Sequence, residues 1–474
     1  MVNIDLLVSH ATIITMDAKR SIFSNAAIAV KGDQILEIGN TEILSKKYSA
    51  AKTIDATDQF VFPGMIDTHN HLFQVLFKGM GKDRGLIGWL SEAINKPYFN
   101  IDEEALYLAA MAGCIEHLKS GSTTVLDYQY CHSRPMINDV MIQVFEDLGI
   151  RAVLGRGYTN CKDFAIYAET DHLETPKEFF DDVRRLSKKL KGHPTIDLAI
   201  APGISWVFEK EHFSECARLA KELHTFTTIH TLETEEDDAY SREHHGMSTL
   251  EMFEKTGILD APFLAVHCAL VTKRDIELFK AYDVRISYNA ISNMMVGYQT
   301  MPLKDMLEAG LTVGIAMDGA ASNDNQNMLQ VLKFSPLWQK AFYRDPSVIP
   351  ATKVIEMATI DGARAIFKDE QIGSLEAGKK ADFFLFDPRF CNTAPILDPV
   401  VSLVYGACEN NISTTVVGGK IVMENGRIPH IDEQDILSRL QKKSYEIKMR
   451  SGIENSLWNQ QICVGPFKKN IIES

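Results

Sequence analysis

Residues 4 to 62 alternate apolar and polar positions in three pieces, IDLLVSHATIITMD, AAIAVKGDQILEIG and KTIDATDQFVF, separated by turn signals such as Lys31-Gly32-Asp33. Alternation of period two is the mark of strands with one buried face. The same character returns in GSLEAGKKADFFLFD (373–387) and STTVVGGKIVMENGRI (413–428). Between these flanks the pattern changes to short apolar runs alternating with amphipathic helical stretches. The runs are FPGMIDTHNHL, STTVLDYQY, IRAVLGRGYT, TIDLAIAPG, FTTIHTLE, PFLAVHCAL, VRISYNAIS and LTVGIAMDGAAS, starting at residues 62, 122, 150, 195, 226, 262, 284 and 311. Helical spacing is clear in EEALYLAAMAGCIEHLKS and KEHFSECARLAKELH.

Strand-like runs alternating with helices over about 300 residues fit an α/β fold, a TIM-like (β/α)8 barrel, with a doubly wound open sheet as the competitor. No glycine-rich phosphate fingerprint follows the first run, which weighs against the open sheet. The two β-rich flanks are expected to pair into one small composite β-sandwich. The predicted domains are therefore 1–62 with 368–430 for the sandwich, 63–367 for the barrel, and 431–474 for a helical C-terminal tail whose clearest part is DILSRLQKKSYEIKMRSG.

Composition narrows the function classes. The 474 residues are 45% hydrophobic and 24% charged, which is ordinary for a globular protein. Lys and Arg total 49 against 63 Asp and Glu, a net charge of −14, and no long basic run is present. Nucleic acid is therefore disfavoured as a partner. The first twenty residues lack a basic start followed by an apolar stretch, and nothing reaches the length of a membrane span, so a cytoplasmic protein without a membrane partner is expected. The cysteines at 114, 131, 161, 216, 268, 391, 408 and 463 include no C-x-x-C pair and read as reduced and mostly buried.

The first run ends in His69 and His71. By itself H-x-H is weak, since a structural histidine pair is common. In a barrel, however, active sites are assembled from the C-terminal ends of different strands. Those ends supply His69 and His71 (first run), His230 (fifth), His267 (sixth) and Asp318 (eighth). Buried polar groups need partners, and imidazoles with a carboxylate suit Zn²⁺, with Fe²⁺ as the alternative. Glu233, three residues after His230, is placed to carry protons between water and a leaving group. Its acidic neighbours Glu235, Glu236, Asp237 and Asp238 read as a solvated helix start. His244 and His245 are assigned to an exposed helix, His132 to a loop, and Cys268 to core packing on the face opposite His267.

The constellation PGMIDTHNH, HTLE, VHC and MDGAASND, with the closing MATIDGARAI and IGSLEAGKKADFFLFD, resembles the amidohydrolase superfamily over nearly the whole chain. It is most similar to the branch of atrazine chlorohydrolase, melamine deaminase, hydroxyatrazine hydrolase, and guanine- and adenosylhomocysteine-type deaminases. The resemblance implies one divalent metal per subunit held by His69, His71, His230 and Asp318, with His267 holding the attacking water or acting as a further ligand. Members with two metals use a lysine on an inner strand, and the third and fourth runs contain none. The implied chemistry is attack of metal-bound hydroxide on an electron-poor ring carbon. Asp318 takes the water proton, and Glu233 protonates a ring nitrogen and then the departing group.

Nucleoside deaminases that this chain resembles carry a His at the end of the fourth strand and an acid after W-L-x-x-x-I, both serving ribose. Here those places read Ala201-Pro202-Gly203-Ile204 and Tyr98-Phe99. Gln74 and Trp89 match positions facing the ring, Ser322 matches a serine on the substrate side, and Gly319 stands where the chlorohydrolase has Asn. Arg156 and Tyr158, ending the third run, are candidates for a polar substituent, with a structural role equally open for Arg156. The expected function is a metal-dependent aminohydrolase of an amino-substituted nitrogen heterocycle such as a triazine, pterin, pyrimidine or purine base, in a homo-oligomer. The alternatives are an s-triazine chlorohydrolase, an adenosylhomocysteine- or methylthioadenosine-type deaminase, and a catalytically silent scaffold.

Overall fold

The chain folds into two sheets, seen in a computed structural model that describes residues 1–134, 136–158, 174–204 and 207–453. The first sheet contains β1 (Val2–Ile14), β2 (Ile22–Lys31), β3 (Gln34–Asn40), β4 (Tyr48–Asp55) and β5 (Phe60–Pro63) from the N-terminal flank. The second contains the barrel strands β6 (Met65–Asn70), β7 (Ser122–Gln129), β8 (Arg151–Gly157), β9 (Ile196–Ala201), β10 (Thr227–Thr231), β11 (Phe263–His267), β12 (Arg285–Tyr288) and β13 (Val313–Ile315). The C-terminal flank then returns to the first sheet as β14 (Phe383–Phe386), β15 (Ile412–Val417) and β16 (Lys420–Glu424).

The first sheet runs in the order β16-β15-β14-β5-β1-β2-β3, with β4 paired to β1. The distant flanks meet where β5 pairs antiparallel with β14, Val61 opposite Leu385 and Phe62 opposite Phe384. Alternate residues, among them Leu6, Val8, Ile13, Ile28, Val61, Phe383, Leu385 and Val416, fill its core. The period-two pattern of the flanks has this cause. On the other face the rings of Phe62 and Phe384 stack with centroids 5.6 Å apart.

The barrel strands are parallel neighbours in chain order. They are covered on both faces, which explains their near-continuous apolar character; every residue of β7 is buried. The first apolar run divides at Gly64, with β5 in one sheet and β6 in the other. A Cβ at Gly64 would lie 1.9 Å from Thr123 Oγ1, so only glycine lets the chain cross between sheets there. The barrel closes where Asp318 N–H, just beyond β13, donates to the carbonyl of His69 in β6 at 3.0 Å.

In the C-terminal region, helix Glu433–Arg450 lies on helix Glu103–Lys119. It is tied there by Lys443 to Asp102 and Arg439 to Glu104, each at 2.8 Å. The remainder of the predicted tail, 454–474, falls outside the described residues, as do Cys161 and Cys463. Cys114, Cys131, Cys216 and Cys268 are free and buried, whereas Cys391 and Cys408 are free and exposed. Among the described residues no helix is long and apolar enough to cross a membrane.

Candidate metal centre

Strand geometry brings the predicted histidines together. His69 lies in β6 and His71 just after it, His230 in β10, His267 at the end of β11, and Asp318 just past the end of β13. His69 Nε2 and His71 Nε2 are 3.1 Å apart, and His71 Nε2 and His230 Nε2 3.2 Å. Asp318 Oδ1 is 3.4 Å from His71 Nε2 and 3.7 Å from His69 Nε2. Ligand atoms of His69, His71 and His230, and of His69, His267 and Asp318, form groups within 4.8 Å. His267 and Asp318 both sit at positive φ, 69° and 62°. Side chains rarely adopt that conformation, and it concentrates at functional sites.

Burial, reinforced by neighbouring imidazoles, holds His69 and His230 well below the usual imidazole range, and burial also lowers His71 and His267. These rings are neutral. His71 Nδ1 reaches the carbonyl of Tyr128 at 2.8 Å and His267 Nδ1 the Asn293 Oδ1 at 2.9 Å. Those acceptors put the proton on Nδ1 and leave Nε2 as a lone pair. Three imidazole Nε2 atoms thus converge at 3.1 to 3.2 Å beside a carboxylate, with the lone pair of His71 at their centre. The donor set, imidazole nitrogens and one carboxylate, fits a divalent ion of the Zn²⁺ kind.

Glu233 is buried, with Oε2 3.5 Å from His267 Nε2. Burial first, and then the charge of Asp318, push its carboxyl well above the ordinary range. Asp237 corrects the expectation of a wholly solvated acidic run. Glu235 and Glu236 are exposed, but Asp237 is fully buried and accepts the backbone N–H groups of Glu233 and Thr234 at 2.8 and 3.2 Å. The signal was present in the sequence as a capping box, Thr234-x-x-Asp237.

His117 and its partners were not among the expected site residues. Its ring is fully buried, with Nε2 3.1 Å from Asp67 Oδ2 and Nδ1 2.8 Å from the carbonyl of Gln326. Asn70 Nδ2 donates to the same Asp67 oxygen at 2.6 Å. Asp67 Oδ1 accepts Met317 N–H at 2.9 Å and His69 N–H at 3.3 Å. One carboxylate thus grips the backbone beside ligands on both sides of the barrel seam. An acid inside the apolar run FPGMIDTHNHL was the signal for it.

The cavity over this cluster is lined by His71, His230, His267, Asp318 and Glu233, by Gln74, Trp89, Asn95, Tyr128, Tyr130, Tyr158, Ser292 and Ser322, and by Leu86, Leu90, Gly203, Ile204, Val207 and Val296. Trp89 is fixed by its indole N–H to the carbonyl of Ala321 at 3.1 Å. The single Ser322 hydroxyl proton has two acceptors in reach, the Gly319 carbonyl at 2.9 Å and Asp318 Oδ2 at 3.3 Å. Gln74 Nε2 donates to the Tyr130 hydroxyl at 3.0 Å, and a Cβ at position 319 would lie 1.9 Å from Gln74 Oε1. The Gln74 carboxamide therefore occupies the room that a side chain at Gly319 would need.

Arg156 is not brought to this cavity. Its guanidinium is buried and held by Glu174 at 2.7 Å and Asp182 at 2.9 Å, which consume its donors in an ion cluster. Cys268, as expected, packs in the core. His244 is exposed, and His132 is a loop residue bonded to the carbonyl of Gln129 at 3.0 Å.

The amidohydrolase family model matches residues 60–422. A 5-methylthioadenosine/S-adenosylhomocysteine deaminase of Thermoanaerobacter pseudethanolicus is 31% identical over 448 residues, 94% of this chain and 100% of the relative. A 5'-deoxyadenosine deaminase of Methanobrevibacter smithii is 32% identical over 428 residues, 90% and 94% of the two chains. Among solved structures, a zinc-bound adenosine deaminase of Xanthomonas campestris superposes with TM-score 0.88 at 23% identity, covering 94% of this chain and 99% of its own. A zinc-complexed atrazine chlorohydrolase of Arthrobacter aurescens TC1 gives TM-score 0.83 at 23% identity, covering 93% and 100%.

Proposed function

This chain belongs to the amidohydrolase family, and from that premise we propose that it is a metal-dependent hydrolytic deaminase of an amino-substituted nitrogen heterocycle of the aminopurine or aminotriazine kind. The observation that carries the reading is a carboxyl, Glu233, 3.5 Å from His267 at the edge of the histidine and aspartate cluster and open to a largely apolar cavity.

His69, His71, His230 and Asp318 would hold the ion, with His267 beside them; zinc is the ion proposed and Fe²⁺ the alternative. A bound divalent ion lowers the pKa of water enough to supply a nucleophile near neutral pH. Asp318 accepts a proton at its carboxylate, oriented by the backbone N–H of Gly319 at 2.8 Å. Glu233, whose carboxyl burial pushes well above the ordinary range, delivers its proton to a ring nitrogen, takes up the proton that Asp318 accepted and passes it to the departing amine, and recovers a proton from the added hydroxyl as the carbonyl forms. Trp89 and Gln74 border the space for the ring, and the apolar wall excludes water from it.

An amine departs poorly unless protonated, whereas chloride needs no proton. A site that sets an acid, Glu233, beside the ring therefore favours amine release over dehalogenation. The relatives named for adenine nucleosides support a 6-aminopurine ring. Gly203 and the Tyr98-Phe99 pair offer no charged ribose partner, which supports a base over a nucleoside. The test is ammonia release from aminopurines and aminotriazines by zinc-loaded protein, in parallel with chloride release from the chlorinated rings. Chloride release as the faster reaction would overturn the assignment.

A further inference from the structure

Asn95 closes the π-helical turn Leu90–Asn95, a widened geometry that re-aims the side chains following it and concentrates at functional sites. It lines the same cavity as His71, His230 and Glu233 and is 4% exposed. Neither its Nδ2 nor its Oδ1 has a hydrogen-bond partner among the described residues. A carboxamide offers two donors and an acceptor with two lone pairs, and burying these unpaired opposes folding. The large majority of such groups in native proteins are paired with protein, water or ligand, and one that faces a cavity is open to a ligand.

Of the other polar groups lining this cavity, Gln74 has its Nε2 bound to Tyr130 and its Oε1 unpaired among the described residues, and two more are committed elsewhere. The Trp89 indole N–H is bound to Ala321 and the Tyr128 hydroxyl to the carbonyl of Pro202. The same cavity presents the apolar Leu86, Leu90, Ile204 and Val207. A few placed polar groups in an apolar lining are what gives a small-molecule site its selectivity. Among the described residues no Lys or Arg lines the cavity, so nothing there neutralises a phosphate.

We propose that Asn95 determines substrate specificity, its carboxamide pairing with a neutral substrate group that both donates and accepts a hydrogen bond. This rests on the aminohydrolase reading above. Two sources carry that chemistry: a hydroxyl on a sugar attached to the ring, or a lactam edge of the ring itself. A carboxamide serves either, and a sugar read this way needs no charged partner at Gly203 or Tyr98.

The test compares zinc-loaded wild type, Asn95→Leu and Asn95→Asp on two matched pairs, 5'-deoxyadenosine against 2',3',5'-trideoxyadenosine, and isoguanine against adenine. In one pair the wild type should prefer the hydrogen-bonding member by about 10²-fold or more in kcat/KM, since a site built to bond a polar group rejects the analogue without it. Asn95→Leu should shrink that ratio to within a few-fold at equal zinc content, and which pair responds identifies the source. Asn95→Asp, which keeps the acceptor and loses the donors, should fall between the two and serves if Asn95→Leu does not fold. A wild type with no preference in either pair, or a ratio unchanged in both variants, overturns the proposal. If zinc-loaded wild type deaminates none of the four, the aminopurine branch of the aminohydrolase reading fails instead. Dissociation constants for the same pairs by calorimetry then test Asn95 alone, and a Kd ratio that the variants leave unchanged, or no binding, overturns its role.

Discussion

Asp318 donates its backbone N–H to the carbonyl of His69 at 3.0 Å, so the bond that closes the barrel also joins two residues of the candidate metal centre. Barrel closure and site geometry are therefore one problem. Asp67 reinforces the bond from behind, holding Met317 N–H and His69 N–H with one oxygen while His117 and Asn70 hold the other.

Removing that support should loosen the metal before it unfolds the protein. Groups that orient metal ligands are typically worth about 10- to 100-fold in affinity. His117→Leu is expected to weaken zinc binding by about that factor, measured by competition with a chelator. Zinc affinity equal to wild type would show that the Asp67 pair has no part in shaping the site.

Ligand loss should be more severe. Asp318→Asn or His230→Ala is expected to abolish turnover and to lower bound metal, as measured by elemental analysis after gel filtration. Normal activity in a metal-free variant would refute the proposed chemistry.

Glu233→Gln separates proton delivery from metal binding. Metal content should stay near wild type, while kcat/KM on an amino substrate falls by about 10²- to 10⁴-fold, the usual range for general acid catalysis. The loss should be smaller on the chloro analogue of the same ring, because chloride leaves unprotonated. Parallel loss of metal would make Glu233 a ligand.

Much of this was legible in the sequence because it was local. Period-two flanks and continuous inner runs follow from burial on one face or two, and the histidines and Asp318 stand out as polar residues at apolar run ends. What was not legible depended on distant partners. The Arg156 cluster is made with Glu174 and Asp182 on the far side of a long connection. Burial of Asp237 requires neighbours that a run of charges does not reveal, although its capping-box spacing was readable. Asn95 sits in a helical stretch whose polarity alone cannot distinguish solvent from cavity.

Position 319 offers a steric test. A methyl at Gly319 would collide with the Gln74 carboxamide, and overpacking of this kind costs about 1–3 kcal/mol. Gly319→Ala should lower stability by that order and reduce kcat/KM, and Gln74→Ala should relieve the stability loss in the double variant. Additive losses in a double-mutant cycle would show that the two positions do not share this space.

Stability should also respond to pH through Asp127, which burial pushes up to about 7 from its ordinary 3.8. Over that interval the folded protein keeps a proton that the unfolded chain has released. The stabilisation is therefore complete below about pH 4 and is lost as pH rises through about 7. Asp127→Asn should flatten this decline in urea unfolding measured from pH 4 to 8, and an unchanged pH dependence would contradict the assignment.

The most direct test of the central claim is a titration of zinc into metal-stripped protein, with ammonia release from a 6-aminopurine substrate followed at each addition. A single-metal deaminase predicts almost no ammonia without zinc and a linear rise that ends at one equivalent per subunit. Undiminished release from the stripped protein, or none from the fully loaded protein across the aminopurine and aminotriazine panel, would contradict it.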